Sequence, residues 1–231
     1  MVERIPTYTS AQVRAAEKPL LDAGEPLMRR AAAALARIAA VELGPNGGRV
    51  LVLVGSGDNG GDALFAAADL AEISDTVVDV FLTADRVHAA GLGAAIAAGA
   101  RKVDLPEVIS AASGYDLVLD GILGIGASAD PALRGTARTV VQELLPVVRA
   151  GRPRVIAVDV PSGLQPNDGS SDGVVLPASI TVTFGAVKSG LTAGSGPERT
   201  GAIVLVDLGL TTALAGQEPA GAASVTAVVQ A

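Results

Sequence analysis

Acidic and amide residues follow three short apolar runs of this sequence. The runs are RVLVLV at 49–54, DLVLD at 116–120 and VIAVD at 155–159. The polar residues that end or follow them are Asp58, Asn59, Asp62, Asp120, Asp159 and Ser162. Carboxylates in a crevice can act as general acids or bases, and carboxylate, amide and hydroxyl oxygens together form a ligand set for a hard cation.

The segment after the first run, GSGDNGGD at 55–62, has the composition of a phosphate-binding loop. Glycines let the backbone approach a phosphate, and the N–H groups at the start of the following helix favour its negative charge. The loop contains G-x-G-x-x-G, so an NAD(P)-dependent dehydrogenase is a rival interpretation. That rival expects an acidic residue about 20 residues further on, whereas Asp85 follows Gly55 by about 30. A structural turn without a ligand is the other alternative.

Lys188 and His88 are the remaining candidates for proton chemistry. The chain has three lysines among its 17 basic residues, and Lys188 follows the apolar run ITVTF at 180–184. A lysine in a site loop suggests a titratable amine, although an exposed surface lysine fits equally well. His88 lies in a polar stretch and is expected at the surface. With no cysteine and one histidine, no Ser-His-Asp or Cys-His triad can be assembled.

The elements that carry these residues are predicted to be strands alternating with helices. Apolar runs near 77–82, 180–184 and 203–207 join the three above, and helical stretches occupy about 62–73, 86–99 and 134–150. Two more helices are expected across 9–43, split near 24–26, with Thr9 or Ser10 as an N-cap. This alternation predicts an α/β fold with a mostly parallel sheet, whose carboxyl edge would gather the strand-end residues. Taken singly, each aspartate is equally well explained as a helix cap or turn former.

Two segments are expected to depart from this pattern. The last strands are joined by Gly-, Pro- and Ser-rich connections, so we expect a mixed or antiparallel far edge of the sheet. After Leu210 the sequence is low in charge and has no clear period, which predicts a tail or linker over 211–231. One domain over residues 1–210 is therefore expected.

Composition excludes several classes of protein. A net charge of -7 with three Phe, two Tyr and no Trp argues against nucleic acid as a partner. Every long apolar stretch is interrupted before the length of a membrane span, so no membrane partner is expected. Charges in the first residues disfavour a signal peptide, which predicts a cytoplasmic protein.

Four ordered motifs, GSGDNGGDA, DGILGIG, AVDVPSGL and TVTFGAVKSGL, resemble those of the NAD(P)H-hydrate epimerase family, also called the YjeF N-terminal domain. The resemblance covers roughly residues 8–210. It implies a Rossmann-like three-layer α/β/α sandwich, often a homodimer, that interconverts the R and S hydrates of NADH and NADPH (NADHX and NADPHX). It also implies a functional partner, an ADP- or ATP-dependent NAD(P)H-hydrate dehydratase, either separate or fused.

Site residues follow from the same resemblance, position by position. One potassium ion per subunit is implied at Asn59, Asp120 and Ser162. Catalytic roles are implied for Asp159 and Lys188. The positions matching substrate contacts are Asp58, Asn59, Gly60, Gly61, Asp62, Gly124, Ile125, Gly126, Ala127, Ser128, Ala129, Asp130 and Asp159. The family often has Pro and Asn where this loop has Ser56 and Asp58, which adds negative charge near the expected phosphate.

Epimerisation requires the C–O bond or the ring to open and to close again from the other face. A positioned acid must assist the departing oxygen, and we expect Asp159 to be this general acid/base, with Lys188 tuning its charge. Potassium would anchor loops and would not polarise the substrate. A non-catalytic module of the same fold, binding a nucleotide or a protein, is the alternative function, and an NAD(P)-dependent oxidoreductase is a further one.

Overall fold

A computed structural model describes residues 3–126 and 130–231 of the chain. The strands are β1 (Glu3–Tyr8), β2 (Gly48–Val54), β3 (Thr76–Leu82), β4 (Arg101–Lys102), β5 (Leu117–Gly121), β6 (Arg154–Val158), β7 (Ile180–Phe184), β8 (Val187–Lys188), β9 (Ala202–Asp207), β10 (Gly221–Val225) and β11 (Ala227–Gln230). The helices are α1 (Ser10–Asp22), α2 (Leu27–Leu43), α3 (Asp58–Ala71), α4 (Ala89–Ala97), α5 (Leu105–Ala111), α6 (Gly135–Arg149), α7 (Gly196–Arg199) and α8 (Thr211–Leu214).

Eight strands form one central sheet in the order β11-β9-β7-β6-β5-β2-β3-β4. Each neighbouring pair in it is parallel. The strand order reverses beside β2, since β3 and β5 flank it on opposite sides. Ligands bind outside the carboxyl ends of strands at such switch points. The predicted α/β fold is confirmed.

Side chains alternate between the two faces of the sheet, and each face is covered by helices. In β2, Val50, Val52 and Val54 pack in the core that includes residues of α1 to α4. Leu51 and Leu53 pack in a second core with residues of α5 and α6. Burial on both faces explains why the strand is continuously apolar. Of the helices described, none is both long and apolar enough to cross a membrane.

The far edge of the central sheet differs from the expectation of a mixed or antiparallel edge. β7, β9 and β11 are parallel to one another, so that expectation is wrong. A parallel pair needs a long crossover, and the chain provides one over residues 185–201 and another over 208–226. These crossovers are built from short elements, including α7 and α8, which a search for long helical periods does not detect.

The segment 211–231, predicted as a tail or linker, contains regular structure. β10 pairs antiparallel with β1, and β11 extends the central sheet beside β9. Ala223 and Val225 of β10 are buried while the residues between and before them are exposed. The alternation exists, but it is carried largely by alanine, whose weak hydrophobic contrast gave no strand signal.

A second, three-stranded sheet holds the N-terminal part of the chain against the strand that carries Lys188. Its order is β10-β1-β8, and Tyr8 of β1 is in register with Lys188 of β8. Thr9 then caps α1 in a capping box with Gln12, as expected. The backbone N–H and hydroxyl of Ser10 both donate to Asn167 Oδ1, at 2.8 and 2.7 Å. These contacts fix the start of α1 next to the carboxyl edge of the central sheet.

Candidate active site

A cavity of about 480 Å³ lies at the carboxyl ends of β2, β5, β6 and β7. Its walls are the loop after β2 with the start of α3, the turn after β5, Asp159 after β6, and Phe184 at the end of β7. α1 closes the remaining side with Arg14 and Glu17. The glycine loop and two of the strand-end segments identified from the sequence therefore line one cavity.

Glycines allow two of these walls to approach each other closely. A Cβ at Gly55 would lie 1.8 Å from the carbonyl oxygen of Ile122, and one at Gly60 would lie 2.2 Å from the carbonyl oxygen of Gly55. Any side chain at either position would displace backbone. Gly57 caps α3 without a side-chain hydrogen bond, so the first N–H groups of this helix remain available to an anion.

Asp62 is a buried carboxyl group that has no partner among the described residues. Asp62 is 8% exposed and lines the cavity. Within residues 3–126 and 130–231 it makes no hydrogen bond or ion pair. Burial, followed by the nearby Asp159 carboxylate, raises the pKa of Asp62 well above its usual value. Asp58, at the start of the same helix, is exposed at the mouth of the cavity.

Asp79 shows what a structural buried carboxylate looks like in this fold. It is fully buried in β3 and accepts hydrogen bonds from Arg49, Arg101 and Tyr115, at 2.7, 3.0 and 2.9 Å. Burial opposes ionisation, but these three donors outweigh it and lower the pKa of Asp79. No residue within 3–126 or 130–231 donates to Asp62, so its burial is not supported in the way that the burial of Asp79 is.

Lys188 and Asp159 form a buried ion pair at the inner end of the cavity. Their side chains are 1% and 8% exposed, and Lys188 Nζ donates to Asp159 Oδ1. Lys188 also donates to the carbonyl oxygen of Phe184 at 2.7 Å. Asp159 Oδ1 accepts from the Phe184 N–H at 3.1 Å and from the Thr183 hydroxyl at 3.3 Å. All of these donors converge on one oxygen of the carboxylate.

The backbone of Asp159 is in the left-handed region, with φ of 66°. This conformation is uncommon for residues other than glycine, although aspartate adopts it more readily than most. Asp159 Oδ2 accepts no hydrogen bond from any residue that the structure describes. Since Asp159 lines the cavity, Oδ2 is the oxygen free to exchange a proton with a bound molecule.

Asp120 and Ser162 meet on the neighbouring strand ends, and Asn59 joins them through the carbonyl oxygen of Leu123. The N–H of Ser162 donates to Asp120 Oδ2 at 2.9 Å. Asn59 Nδ2 donates to the Leu123 oxygen at 3.0 Å, and the Leu123 N–H donates to Ser162 Oγ at 2.9 Å. The three residues predicted as cation ligands are thus linked in one network.

The chemistry of this cluster fits a monovalent cation. Asp120 is fully buried, burial raises its pKa, and none of the ion pairs between described residues includes it. Its neighbours offer neutral amide, hydroxyl and carbonyl oxygens. The described residues contain no group of three or more His, Cys, Asp or Glu side chains that could hold a metal ion. A singly charged ion with oxygen ligands would balance one buried carboxylate.

The predicted substrate turn is divided between two cavities. Gly124, Ile125 and Gly126 line the main cavity, whereas Asp130 lines an adjoining one of about 230 Å³ and pairs with Arg134 at 2.6 Å. The predicted contacts Ala127, Ser128 and Ala129 lie outside the described residues. Gly60 and Gly61 are buried in the first turn of α3.

Sequence reasoning missed Arg14, Glu17 and Phe184 as lining residues. Arg14 and Glu17 are three residues apart, so they share one face of α1. Glu17 is half-buried, and burial raises its pKa, with Lys188 opposing the rise. The three-residue spacing of Arg14 and Glu17 is the one sequence feature that could indicate a shared role, and the same spacing is equally typical of a solvated helix face.

His88 and Asp85 do not contribute to the cavity. His88 caps α4 by accepting the Gly91 N–H at 3.0 Å and packs against Phe65 with ring centroids 5.3 Å apart. It is half-buried, which is more than the surface position expected for it. Asp85, which a dehydrogenase would use to bind ribose, is exposed and lines neither the main nor the adjoining cavity.

The sequence of the chain is similar to those of known proteins. Residues 24–190 match the model of the family described as YjeF-related protein N-terminus. A Microbacterium testaceum protein named NAD(P)H-hydrate epimerase is 58% identical over 226 residues, which cover 98% of this chain and 87% of the relative. A Mycobacterium tuberculosis protein named bifunctional NAD(P)H-hydrate repair enzyme Nnr is 41% identical, over 88% of this chain and 41% of its own length.

A solved structure shows the same fold. The crystal structure of the yeast protein ynu0 superimposes with a TM-score of 0.71 over 81% of this chain and 84% of that one. The two sequences are 20% identical, so the similarity concerns the fold alone.

Proposed function

The chain belongs to the YjeF-related protein N-terminus family, and we propose that its cavity interconverts the R and S hydrates of NADH and NADPH. The name of its 58% identical relative, which matches nearly the whole chain, supports this activity. The structural observation that carries the proposal is the Asp159 carboxylate, with one oxygen anchored by Lys188 and the other free in the cavity.

Asp159 would move the proton in both halves of the reaction. In the first half, Oδ2 takes a proton from water in the cavity and donates it to the departing hydroxyl, which leaves as water while the ring nitrogen supplies electrons and the ring becomes cationic. In the second half, water adds to the opposite face of the ring and returns a proton to Oδ2. Lys188 would stabilise the carboxylate between these steps, since its ammonium contacts Oδ1.

The acidic character of the cavity suits this intermediate. Glu17, Asp58 and Asp62 line it together with Asp159. Burial raises the pKa of Glu17 and Asp62, and a cationic ring beside them would favour their ionised forms. A carboxylate near a developing positive charge lowers the barrier, most effectively where water is excluded. A non-catalytic nucleotide-binding module would have no need for a buried carboxyl such as Asp62, which has no partner in the part of the chain that the structure describes.

Asn59, Asp120 and Ser162 would hold one potassium ion, with the carbonyl oxygen of Leu123 as a further ligand. The ion would supply a counter-charge to Asp120 and hold the glycine loop against the turns after β5 and β6. It is assigned no part in the proton transfers.

The partner proposed for this activity is a dehydratase that removes water from the epimerised substrate, using ADP or ATP. A relative named as a bifunctional repair enzyme, in which the match occupies 41% of the length, supports such an association. The resemblance also implies a homodimer, which analytical ultracentrifugation would test.

The proposal is tested by incubating purified protein with isolated (R)-NADPHX and following the S form by chromatography. Equilibration well above the spontaneous rate supports the epimerase. A rate equal to the spontaneous one would leave a binding module as the better account.

A further inference from the structure

Arg14 is the one basic side chain among the described residues that line the main cavity. Four carboxyl groups line the same cavity, and Lys188 is buried behind Asp159. A dinucleotide carries a pyrophosphate with two negative charges, which such an acidic cavity would repel. Binding therefore requires a source of positive charge, and Arg14 is placed to provide it.

The position of Arg14 is fixed from both ends. α1 is anchored by the Ser10 contacts to Asn167 and by Gln12, whose Nε2 donates to the carbonyl oxygen of Glu218 at 2.9 Å. At the other end, Arg14 Nη1 donates to the carbonyl oxygen of Ile125 at 2.8 Å. That is its one hydrogen bond to described residues, so most of the donors of its guanidinium remain available.

An anion beside Arg14 would meet a second group of donors across the mouth of the cavity. Ser56 and Gly57 are exposed there and line the same cavity. They precede the uncapped first turn of α3, whose N–H groups attract negative charge. Asp62, to which no described residue donates, lies further along α3, and Asp159 lines the cavity after β6, where a cationic ring would be stabilised.

We propose that Arg14 is a substrate-binding residue. Its guanidinium donates to a phosphate oxygen of the dinucleotide, opposite the start of α3. The proposal rests on the proposed function, because that function identifies the ligand as a nicotinamide dinucleotide. It divides the cavity into an outer part that binds the pyrophosphate and an inner, acidic part that binds the ring.

Binding of ADP-ribose, measured by calorimetry, tests Arg14 without requiring catalysis. The variants are Arg14→Gln, Arg14→Lys and, as a matched control, Lys18→Gln, which removes a charge from the same helix at an exposed pair with Asp22. We expect Arg14→Gln to weaken binding by about tenfold or more and to reduce its salt dependence, since charge-assisted bonds are lost. The affinity of Arg14→Lys for ADP-ribose should lie between those of the unmodified protein and Arg14→Gln, because lysine lacks the planar fork of donors that arginine has. The affinity of Lys18→Gln should stay within about twofold of that of the unmodified protein.

A second assay separates phosphate binding from support of the Ile125 turn. KM is measured for NADPHX and for hydrated reduced nicotinamide riboside, which has the ring but no phosphate. Arg14→Gln should raise KM for NADPHX by about tenfold more than KM for the riboside, with a much smaller change in kcat.

Two results would overturn the assignment: equal effects of Arg14→Gln on both substrates, or ADP-ribose binding as tight in Arg14→Gln as in the unmodified protein. A protein that does not epimerise NADPHX but binds ADP-ribose through Arg14 would refute the proposed function and still support the role of Arg14.

Discussion

Lys188 contacts the same oxygen of Asp159 that accepts the N–H of Phe184. The second oxygen of the carboxylate accepts no bond from the described residues and belongs to a cavity-lining side chain. One atom of Asp159 therefore holds the side chain in place, and the other is left for chemistry. Both residues come from short segments that follow strands of the sheet, at the edge where α/β proteins bind ligands.

The ion pair between Lys188 and Asp159 should be a strongly coupled unit in stability measurements. Lys188→Met leaves a buried carboxylate without its cation, and Asp159→Asn leaves a buried ammonium without its anion. Each should lower the free energy of unfolding by about 3 kcal/mol or more. The double variant should be less destabilised than the sum of the two by about 2 kcal/mol. Urea denaturation gives the free energy of unfolding of the unmodified protein, the two single variants and the double variant. Additive effects of the two substitutions would contradict the pairing.

Asp62→Asn should increase stability at neutral pH while impairing catalysis. The pKa of Asp62 is raised in the folded protein, so the folded state holds its proton at a pH where the unfolded state has lost it. Stability therefore falls as the pH rises from the unfolded pKa toward the folded one, and the substitution removes this loss. We expect a gain of about 1 kcal/mol at pH 8 and a smaller one at pH 4.

The matched control is Asp58→Asn, which removes an exposed carboxylate from the first turn of the same helix. An acidic residue favours a helix N-terminus, so this control should be neutral or slightly destabilising. A destabilised Asp62→Asn at pH 8, or a gain that does not change with pH, would show that the carboxyl is not a buried unpartnered acid.

Potassium should stabilise the protein through Asp120, Asn59 and Ser162. Replacing NaCl by KCl at equal ionic strength should raise the melting temperature, with the difference growing as the concentration rises. Ser162→Ala should lose most of that difference. Ser189→Ala should keep it, because that buried hydroxyl donates to Asn167 outside the cluster. Equal melting temperatures in the two salts, or an unchanged difference in Ser162→Ala, would refute the potassium site.

The central sheet and the strand-end residues were predictable because fully buried parallel strands leave a distinct pattern. Runs such as RVLVLV have no polar face, and the residues after them must lie at one edge. Asp120 and Asp159 could be placed in this way. Their hydrogen-bond partners could not, since Phe184 and Ser162 donate through backbone N–H groups, which carry no sequence signal.

Other features depend on packing between distant segments. Arg14 and Glu17 have the spacing of a solvated helix face, and it is the docking of α1 that turns them toward the cavity. Asp79 lies in the middle of a predicted strand, yet its role is set by donors from three other segments. The last strands were missed because β10 alternates alanine with small residues, which periodicity does not detect.

The rate at which unmodified protein and Asp159→Asn equilibrate (R)-NADPHX with its S form tests the central claim most directly. Circular dichroism confirms that the variant is folded, and Asp22→Asn, which removes a carboxylate from an exposed pair on α1, serves as the control. Removing a general acid/base should slow equilibration by about 100-fold or more, toward the spontaneous rate. A loss of tenfold or less in a folded Asp159→Asn would contradict the assignment of Asp159 as the proton-transferring residue.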